Sequence, residues 1–179
     1  MGELHSFTQT RLVMGVLSTD ETLHEELFAS LEQRFGPILE ISEKVPFSYT
    51  HYYDHEMDGS PVRFFLVFEK LVDPQTLSDI KLNTNQLEDQ FRGVHGGRRI
   101  NLDPGMLSAA NFILATTKNR AQRIPLEKGI YAELTLMYFD HEFQILPWTY
   151  ADYKSDEFRS LFKRYRNDYI KFLKSRIDT

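Results

Sequence analysis

The chain has 179 residues, no cysteine and a formal net charge of −5 at pH 7. One domain suits this length, because a chain of this size can bury roughly 70% of its unfolded surface without crosslinks. The lack of cysteine excludes disulfides, thiolate catalysis and cysteine-based metal sites, and it fits a cytoplasmic protein. The acidic balance disfavours broad nucleic-acid binding without excluding it. No apolar run approaches the ~20 residues that span a bilayer, so we expect no membrane segment.

The N-terminal part predicts a strand followed by a helix. Residues 1–10 are polar and are expected to be partly flexible, whereas the apolar residues 11–17 predict a short buried strand. Ser18 and Glu21 form a capping-box pattern for a helix that stops before Gly36-Pro37. The apolar residues of this helix recur at helical spacing and are Leu23, Leu27, Leu31 and Phe35.

Residues 38–91 predict further strands and a second helix. Residues 38–45 predict one strand, and residues 47–56 and 61–70 predict the two arms of a hairpin. At Asp73-Pro74 a capping residue precedes a proline suited to the first helical position, so a helix should run from there to about Phe91.

The stretch from Arg98 to Lys118 predicts the central element of the fold, a short strand that turns directly into a helix. Asp103 would cap this helix, and Pro104 would occupy its first position. Nearly every following residue is apolar, which is typical of a helix buried on all sides. These residues are Met106, Leu107, Ala109, Ala110, Phe112, Ile113, Leu114 and Ala115.

The C-terminal part predicts a hairpin, an aromatic loop and a long helix. Residues 119–128 predict a loop with a short strand, residues 129–139 a strong alternating strand, and residues 142–146 its antiparallel partner. Residues 147–153 form the aromatic loop. Ser155 is a suitable N-cap for the last helix. The core stripe of that helix is Phe158, Leu161, Phe162, Tyr165, Tyr169, Phe172 and Leu173.

The predicted element order is β-α-β-β-α-β-α-β-β-α. Its first six elements match the ferredoxin-like split unit, so the fold class is α+β, with a mostly antiparallel sheet and packed helices. No linker or repeat divides the chain, so residues 1–179 should form a single domain. The sequence leaves the oligomeric state open.

Charged residues around the predicted central helix and the strand at 129–139 form a candidate anion site. The cations that would hold a phosphate or carboxylate group are Arg98, Arg99, Lys118 and Arg123. Asp103 and Glu133 would be the catalytic groups, handling a proton or a divalent ion. The structural alternatives are that Asp103 only caps the helix, Lys118 complements the helix dipole, and Glu133 pairs with an arginine. Glu133 is the one charged residue in its alternating run, and an unpaired buried carboxylate is costly.

The aromatic loop supplies three further candidate ligand-binding residues, Trp148, Tyr150 and Tyr153. Such rings can stack on a base or another ring of a ligand. The alternative is that the loop packs over the edge of the sheet and covers it.

Two histidines, His51 and His55, resemble a metal site at first sight. In the strand or loop that we expect there, this spacing separates the Cα atoms by roughly 13 Å at ~3.3 Å per residue, so they should not share one ion. No metal site is therefore predicted. A divalent ion at Asp103 and Glu133 is compatible with the sequence but not required, and no cofactor is identified. The chain also lacks a glycine-rich phosphate loop and a nucleophile elbow.

Two runs in the chain are distinctive, Asn101-Leu-Asp-Pro-Gly105 and Pro147-Trp-Thr-Tyr150. With them, the chain resembles the uncharacterised prokaryotic domain-of-unknown-function family 4416 over nearly its whole length. In that family an acidic residue is usual where this chain has His51. The resemblance implies no established activity.

The leading functional hypothesis is a protein that binds a small anionic ligand, phosphorylated or nucleotide-like. If it is an enzyme, which the sequence leaves open, phosphate-ester or nucleotide chemistry fits best. The alternative is a non-catalytic interaction module that binds RNA or an acidic protein partner through the basic C-terminal helix, with Arg159, Lys163 and Arg166 as the contacts.

Overall fold

The structure is a computed structural model that describes residues 2–49, 57, 59–94 and 96–177. Within these residues the chain forms one sheet and three α-helices. The helices are α1 (His24–Phe35), α2 (Leu77–Gln90) and α3 (Asp156–Ile177). The strands are β1 (Thr10–Ser18), β2 (Ile38–Ile41), β3 (Val45–Pro46), β4 (Val62–Val72), β5 (Ile100–Leu107), β6 (Asn111–Thr116), β7 (Ile124–Pro125), β8 (Tyr131–Phe139) and β9 (Glu142–Ile145). Among the described residues, no helix combines the length and the apolar character needed to cross a membrane.

The sheet is antiparallel throughout its strand pairs. Its order is β2-β4-β1-β5-β6-β8-β7, with β3 also paired to β4 and β9 to β8. The first part, β1-α1-β2-β4-α2-β5, places its strands in the order β2-β4-β1-β5. This is the ferredoxin-like split unit. The predicted α+β class with a mostly antiparallel sheet is therefore confirmed.

Helices cover both faces of the sheet. Alternate residues of β1 point to opposite faces, so Leu12 and Met14 pack with α1 and α2, while Val13 packs with α3. The same alternation in β4 sends Phe64 to the first face and Phe65 to the second. Because both faces are buried, β1 and β4 are almost continuously apolar. The molecule therefore has three layers: α1 and α2, the sheet, and α3.

The predicted central helix is wrong. β5 runs straight through Asp103-Pro104-Gly105, and β6 returns antiparallel to it as a hairpin. Lys118 therefore follows a strand and does not end a helix, and Asp103 is not a helix cap. The physical reason is that a run of apolar residues is typical of a strand buried on both faces as well as of a buried helix. The exact predicted element order fails at this point.

The tripeptide Asp103-Pro104-Gly105 has a different function in the strand. The backbone N–H and C=O of Leu102 point away from β1, toward the edge of β5 that pairs with β6 farther along. The backbone nitrogen of Pro104, two residues later, points to the same edge. Proline has no N–H to donate, and the β5–β6 ladder begins only at Gly105. Gly105 is required because the buried Phe112 ring lies against it: an added Cβ would come within 2.3 Å of Phe112 Cζ.

Smaller differences occur earlier in the chain. Ser18 belongs to β1, and Asp20 accepts the capping hydrogen bond of the turn before α1, at 3.1 Å from the Thr22 N–H. The strand predicted at 38–45 is divided into β2 and β3. Of the predicted hairpin arm at 47–56, only residues 47–49 are described, and they are not in a strand. His51 and His55 lie outside the described residues.

Candidate functional site

A cleft of about 920 Å³ opens where β5 and β6 diverge. Eight of the nine predicted site residues border it, and Arg99 does not. The eight are Arg98, Asp103, Lys118, Arg123, Glu133, Trp148, Tyr150 and Tyr153. Residues far apart in the sequence are therefore brought to one cavity.

The open edge of β5 is completed by α2. With no β6 partner at Leu102, its C=O accepts a hydrogen bond from Lys81 Nζ at 2.7 Å, and its N–H donates to Glu88 Oε1 at 2.7 Å. Both side chains are buried, and burial raises the pKa of Glu88. Arg98 Nη1 lies 3.5 Å from Glu88 Oε2 and donates to Asn101 Oδ1 at 2.7 Å. These contacts give hydrogen-bond partners to the part of β5 that does not pair with β6.

A buried arginine forms the floor of the cleft. The guanidinium of Arg63 donates to Asp103 Oδ2 at 3.1 Å and to the Tyr153 hydroxyl at 3.0 Å, and it lies 3.1 Å from Asp152 Oδ2. Burial opposes its charge, but Tyr153 and the two carboxylates raise its pKa. The guanidinium rests on Gly15, where an added Cβ would lie 3.0 Å from Arg63 Nη2.

The same arginine sets the charge of Asp103. Burial alone would raise the pKa of this carboxyl group, yet Arg63 and then Lys81 hold it below the ordinary value. Asp103 is therefore ionised at neutral pH. Asp152 is more deeply enclosed, and burial raises its pKa despite the contact with Arg63.

A second arginine–carboxylate pair lies on the β8 side of the cleft. Arg123 Nε donates to Glu133 Oε2 at 2.6 Å, Nη1 donates to the Lys118 carbonyl at 2.7 Å, and Nη2 donates to the Tyr150 hydroxyl at 2.6 Å. Gln122 also donates to Glu133 Oε2. Burial, followed by the charge of Glu133, raises the pKa of Tyr150 to about 12, so its hydroxyl keeps its proton. The expected pairing of Glu133 with an arginine is present.

The mouth of the cleft carries exposed groups. Lys118 and Arg120 are exposed on the segment after β6, and in the described part of the chain no side-chain hydrogen bond or ion pair is found for Arg120. Trp148 is 38% exposed, and its indole N–H donates to the Leu134 carbonyl at 2.8 Å. Its ring is thus fixed at the border of the cleft.

Two predicted site residues have other surroundings. Arg99 donates to the carbonyls of Phe91 and Arg92, which follow α2, and to Asp20 Oδ2 at 3.1 Å. It therefore links the C-terminal end of α2 to the turn before α1. The Tyr153 ring belongs to the core on the α3 side and is 1% exposed. Tyr153 borders the cleft, and its hydroxyl accepts a hydrogen bond from Arg63 there.

The chain is assigned to a family by its sequence. The family model described as Domain of unknown function (DUF4416) matches residues 8–169. The chain belongs to this family. No curated protein and no solved structure matches it. The matched range of this DUF4416 chain includes every residue that the structure places around the cleft.

Several residues of the cleft were missed by sequence reasoning. They are Arg63, Lys81, Glu88, Arg120 and Asp152. Arg63 is the first charged residue of β4 and is followed by five apolar residues before Glu69 and Lys70, so its signal is weaker than that of Glu133, the one charged residue of its strand. Lys81 and Glu88 lie on the inner side of α2, where an acidic and a basic residue seven positions apart share a face. Arg120 and Asp152 lie in loops and have no such signal. The described residues contain no group of three or more histidine, aspartate or glutamate side chains suited to a metal ion.

Proposed function

We propose that the cleft binds a small anionic ligand, phosphorylated or nucleotide-like. The observation that supports this most is charge: the described lining contains seven lysine or arginine and five aspartate or glutamate side chains, in a chain with a net charge of −5. A cleft lined by an excess of one charge concentrates ligands of the opposite charge. Its volume, about 920 Å³, also falls within the roughly 300–1,000 Å³ of small-molecule sites.

The mouth is the part suited to the anionic group. Lys118 and Arg120 are exposed there, and the protonated Tyr150 hydroxyl can donate a hydrogen bond. Trp148 and the Tyr150 ring provide apolar surfaces for the rest of the ligand. Phosphate-ester or nucleotide chemistry remains a prediction from the sequence. In that chemistry Asp103 is the ionised carboxylate that is partly open to the cleft, and its lowered pKa suits it to accept hydrogen bonds more than to take up a proton.

The proposal is tested by a thermal-shift screen against inorganic phosphate, sugar phosphates, nucleotides and dicarboxylates, each with and without magnesium. A ligand at one hundred times its Kd adds about 2.7 kcal/mol to the free energy of unfolding, which raises Tm by several degrees. The shift should disappear in the double variant Lys118→Ala, Arg120→Ala. It should persist in the matched control Lys171→Ala, Lys174→Ala, which removes two exposed cations of α3 outside the cleft. Anion binding that survives the first double variant would contradict the assignment.

The alternative, an interaction module built on α3, receives less support. Two of its three predicted contact residues already have partners in the chain: Arg159 donates to the Phe143 carbonyl, and Arg166 donates to the Ala109 carbonyl at 2.6 Å. Guanidinium groups engaged in this way are less available to RNA or an acidic protein. This alternative and the cytoplasmic location stay predictions from the sequence.

A further inference from the structure

Two carboxylates of the cleft each use only one oxygen. Asp103 Oδ2 accepts from Arg63 at 3.1 Å and from Asn101 at 3.0 Å, and Glu133 Oε2 accepts from Arg123 at 2.6 Å and Gln122 at 3.0 Å. Among the described residues, no hydrogen bond to Asp103 Oδ1 is found, and the buried Glu133 Oε1 has no partner. Asp103 is 28% exposed in its side chain and Glu133 is 1% exposed. The cleft therefore offers one accessible and one enclosed acceptor.

An enclosed carboxylate oxygen without a donor is costly, and most buried polar atoms in proteins are satisfied. A ligand that brings hydrogen-bond donors would remove this cost. The donors should be neutral, because Glu133 pairs with Arg123 and Asp103 lies against Arg63, which it shares with Asp152, and these guanidinium groups would repel an ammonium group.

Hydroxyl groups fit these acceptors better than a nucleobase does. A base edge presents donors and acceptors side by side, whereas Asp103 Oδ1 and Glu133 Oε1 can only accept hydrogen bonds. The neighbouring amide, Asn101, is already used in both directions: its nitrogen donates to Asp103, and its oxygen accepts from Arg98 at 2.7 Å.

We propose that the ligand is a phosphorylated polyol or sugar, whose hydroxyl groups donate to Asp103 Oδ1, and to Glu133 Oε1 once the side chains that enclose this oxygen move aside, while its phosphate lies at the mouth of the cleft. This inference rests on the proposed anion-binding function and adds the class of ligand. It makes Asp103 and Glu133 determinants of specificity in addition to any catalytic part.

The first test uses the unaltered protein and two ligands of equal chain length, glycerol phosphate and propyl phosphate, with inorganic phosphate as reference. A hydrogen bond to a charged acceptor corresponds to roughly a tenfold to hundredfold change in Kd. Titration calorimetry should therefore show glycerol phosphate binding at least about tenfold more tightly than propyl phosphate. Pentose and hexose phosphates extend the series if glycerol phosphate is too short to span the cleft.

The second test uses the variant Asp103→Asn, which can place an amide N–H where the carboxylate oxygen was. The preference for the hydroxylated ligand should fall by about tenfold or more, whereas the affinity for inorganic phosphate should change little. The control is Asp79→Asn, an equal change at an exposed ion pair outside the cleft. If Asp103→Asn does not fold, the comparison of ligands in the unaltered protein decides alone.

The outcomes separate the two proposals. Tighter binding of the polyol and sugar phosphates, lost in Asp103→Asn, supports both. Equal binding of hydroxylated and alkyl phosphates across the series, still dependent on Lys118 and Arg120, overturns the ligand class and leaves the anion site standing. No binding of any phosphate overturns both.

Discussion

Replacing Gly105 with alanine distinguishes the strand from the helix that the sequence predicts at this position. Within a helix, replacing glycine with alanine stabilises a protein by up to roughly 0.5–1 kcal/mol, the value for helix interiors. In β5 the new Cβ would lie 2.3 Å from Phe112 Cζ, 2.5 Å from Phe112 Cε2 and 3.1 Å from the Ile113 carbonyl. The Phe112 ring cannot move aside easily, because it is fully buried and packs against Tyr153 and Phe162. The two interpretations therefore predict opposite signs.

The expected cost of Gly105→Ala follows from this overlap. Forcing extra carbon into a well-packed core costs about 1–3 kcal/mol. In a domain of this size each kcal/mol changes Tm by about 2–4 °C, so calorimetry or urea unfolding should show a drop of about 2–12 °C in Tm or the equivalent loss of free energy.

A double variant identifies the cause of the loss. Phe112→Leu shortens the ring side chain and makes room for the new Cβ, at the cost of core packing. Gly105→Ala combined with Phe112→Leu should lose less free energy of unfolding than the two single changes added together, by about 0.5–3 kcal/mol. A gain in stability from Gly105→Ala, or simple additivity, would refute the contact between Gly105 and Phe112.

Two further predictions concern buried charge. Arg63→Met should cost about 3–5 kcal/mol in urea unfolding at pH 7, because it leaves the buried Asp152 and the partly buried Asp103 without their shared cation; a loss below about 1 kcal/mol would contradict a stabilising role for these ion pairs. His24 is 5% exposed with its Nε2 2.9 Å from Ser18 Oγ, and burial lowers its pKa from the ordinary 6.5. The unfolded chain therefore binds the proton more readily, so the stability contributed by neutral His24 is complete above pH 6.5 and is lost as the pH falls below it. His24→Gln should reduce the slope of stability against pH below 6.5, and an unchanged slope would show that other groups produce it.

Periodic patterns made much of the fold predictable. The inner stripe of α2, including Ile80, Thr84 and Leu87, is buried as its spacing predicts, and β8 pairs with β9 as expected. The segment around Asp103 was not predictable in the same way. Asp-Pro-Gly can start a helix or interrupt a ladder, and the choice depends on β1, some 90 residues earlier, which pairs Gly15 with Asp103.

The candidate site was partly predictable for a related reason. Glu133 was singled out as a lone charge in an alternating strand, and it is buried and paired with an arginine as one alternative required. Arg63 shares β4 with Glu69 and Lys70, so the rule of a lone charge does not single it out. Asp152 could not be found, because its contact with Arg63 joins a loop to a strand about 90 positions away. Such contacts follow from topology, which local spacing does not encode.

The most direct test of anion binding in the cleft uses the only tryptophan of the chain. Trp148 borders the cleft, so its fluorescence should change when a ligand binds there. Titration with a phosphate ester found in the thermal-shift screen should give a saturable change, which Lys118→Ala with Arg120→Ala abolishes and Lys171→Ala with Lys174→Ala preserves. A ligand that raises Tm but gives no saturable change, or one whose Kd is the same in all three proteins, would place anion binding elsewhere.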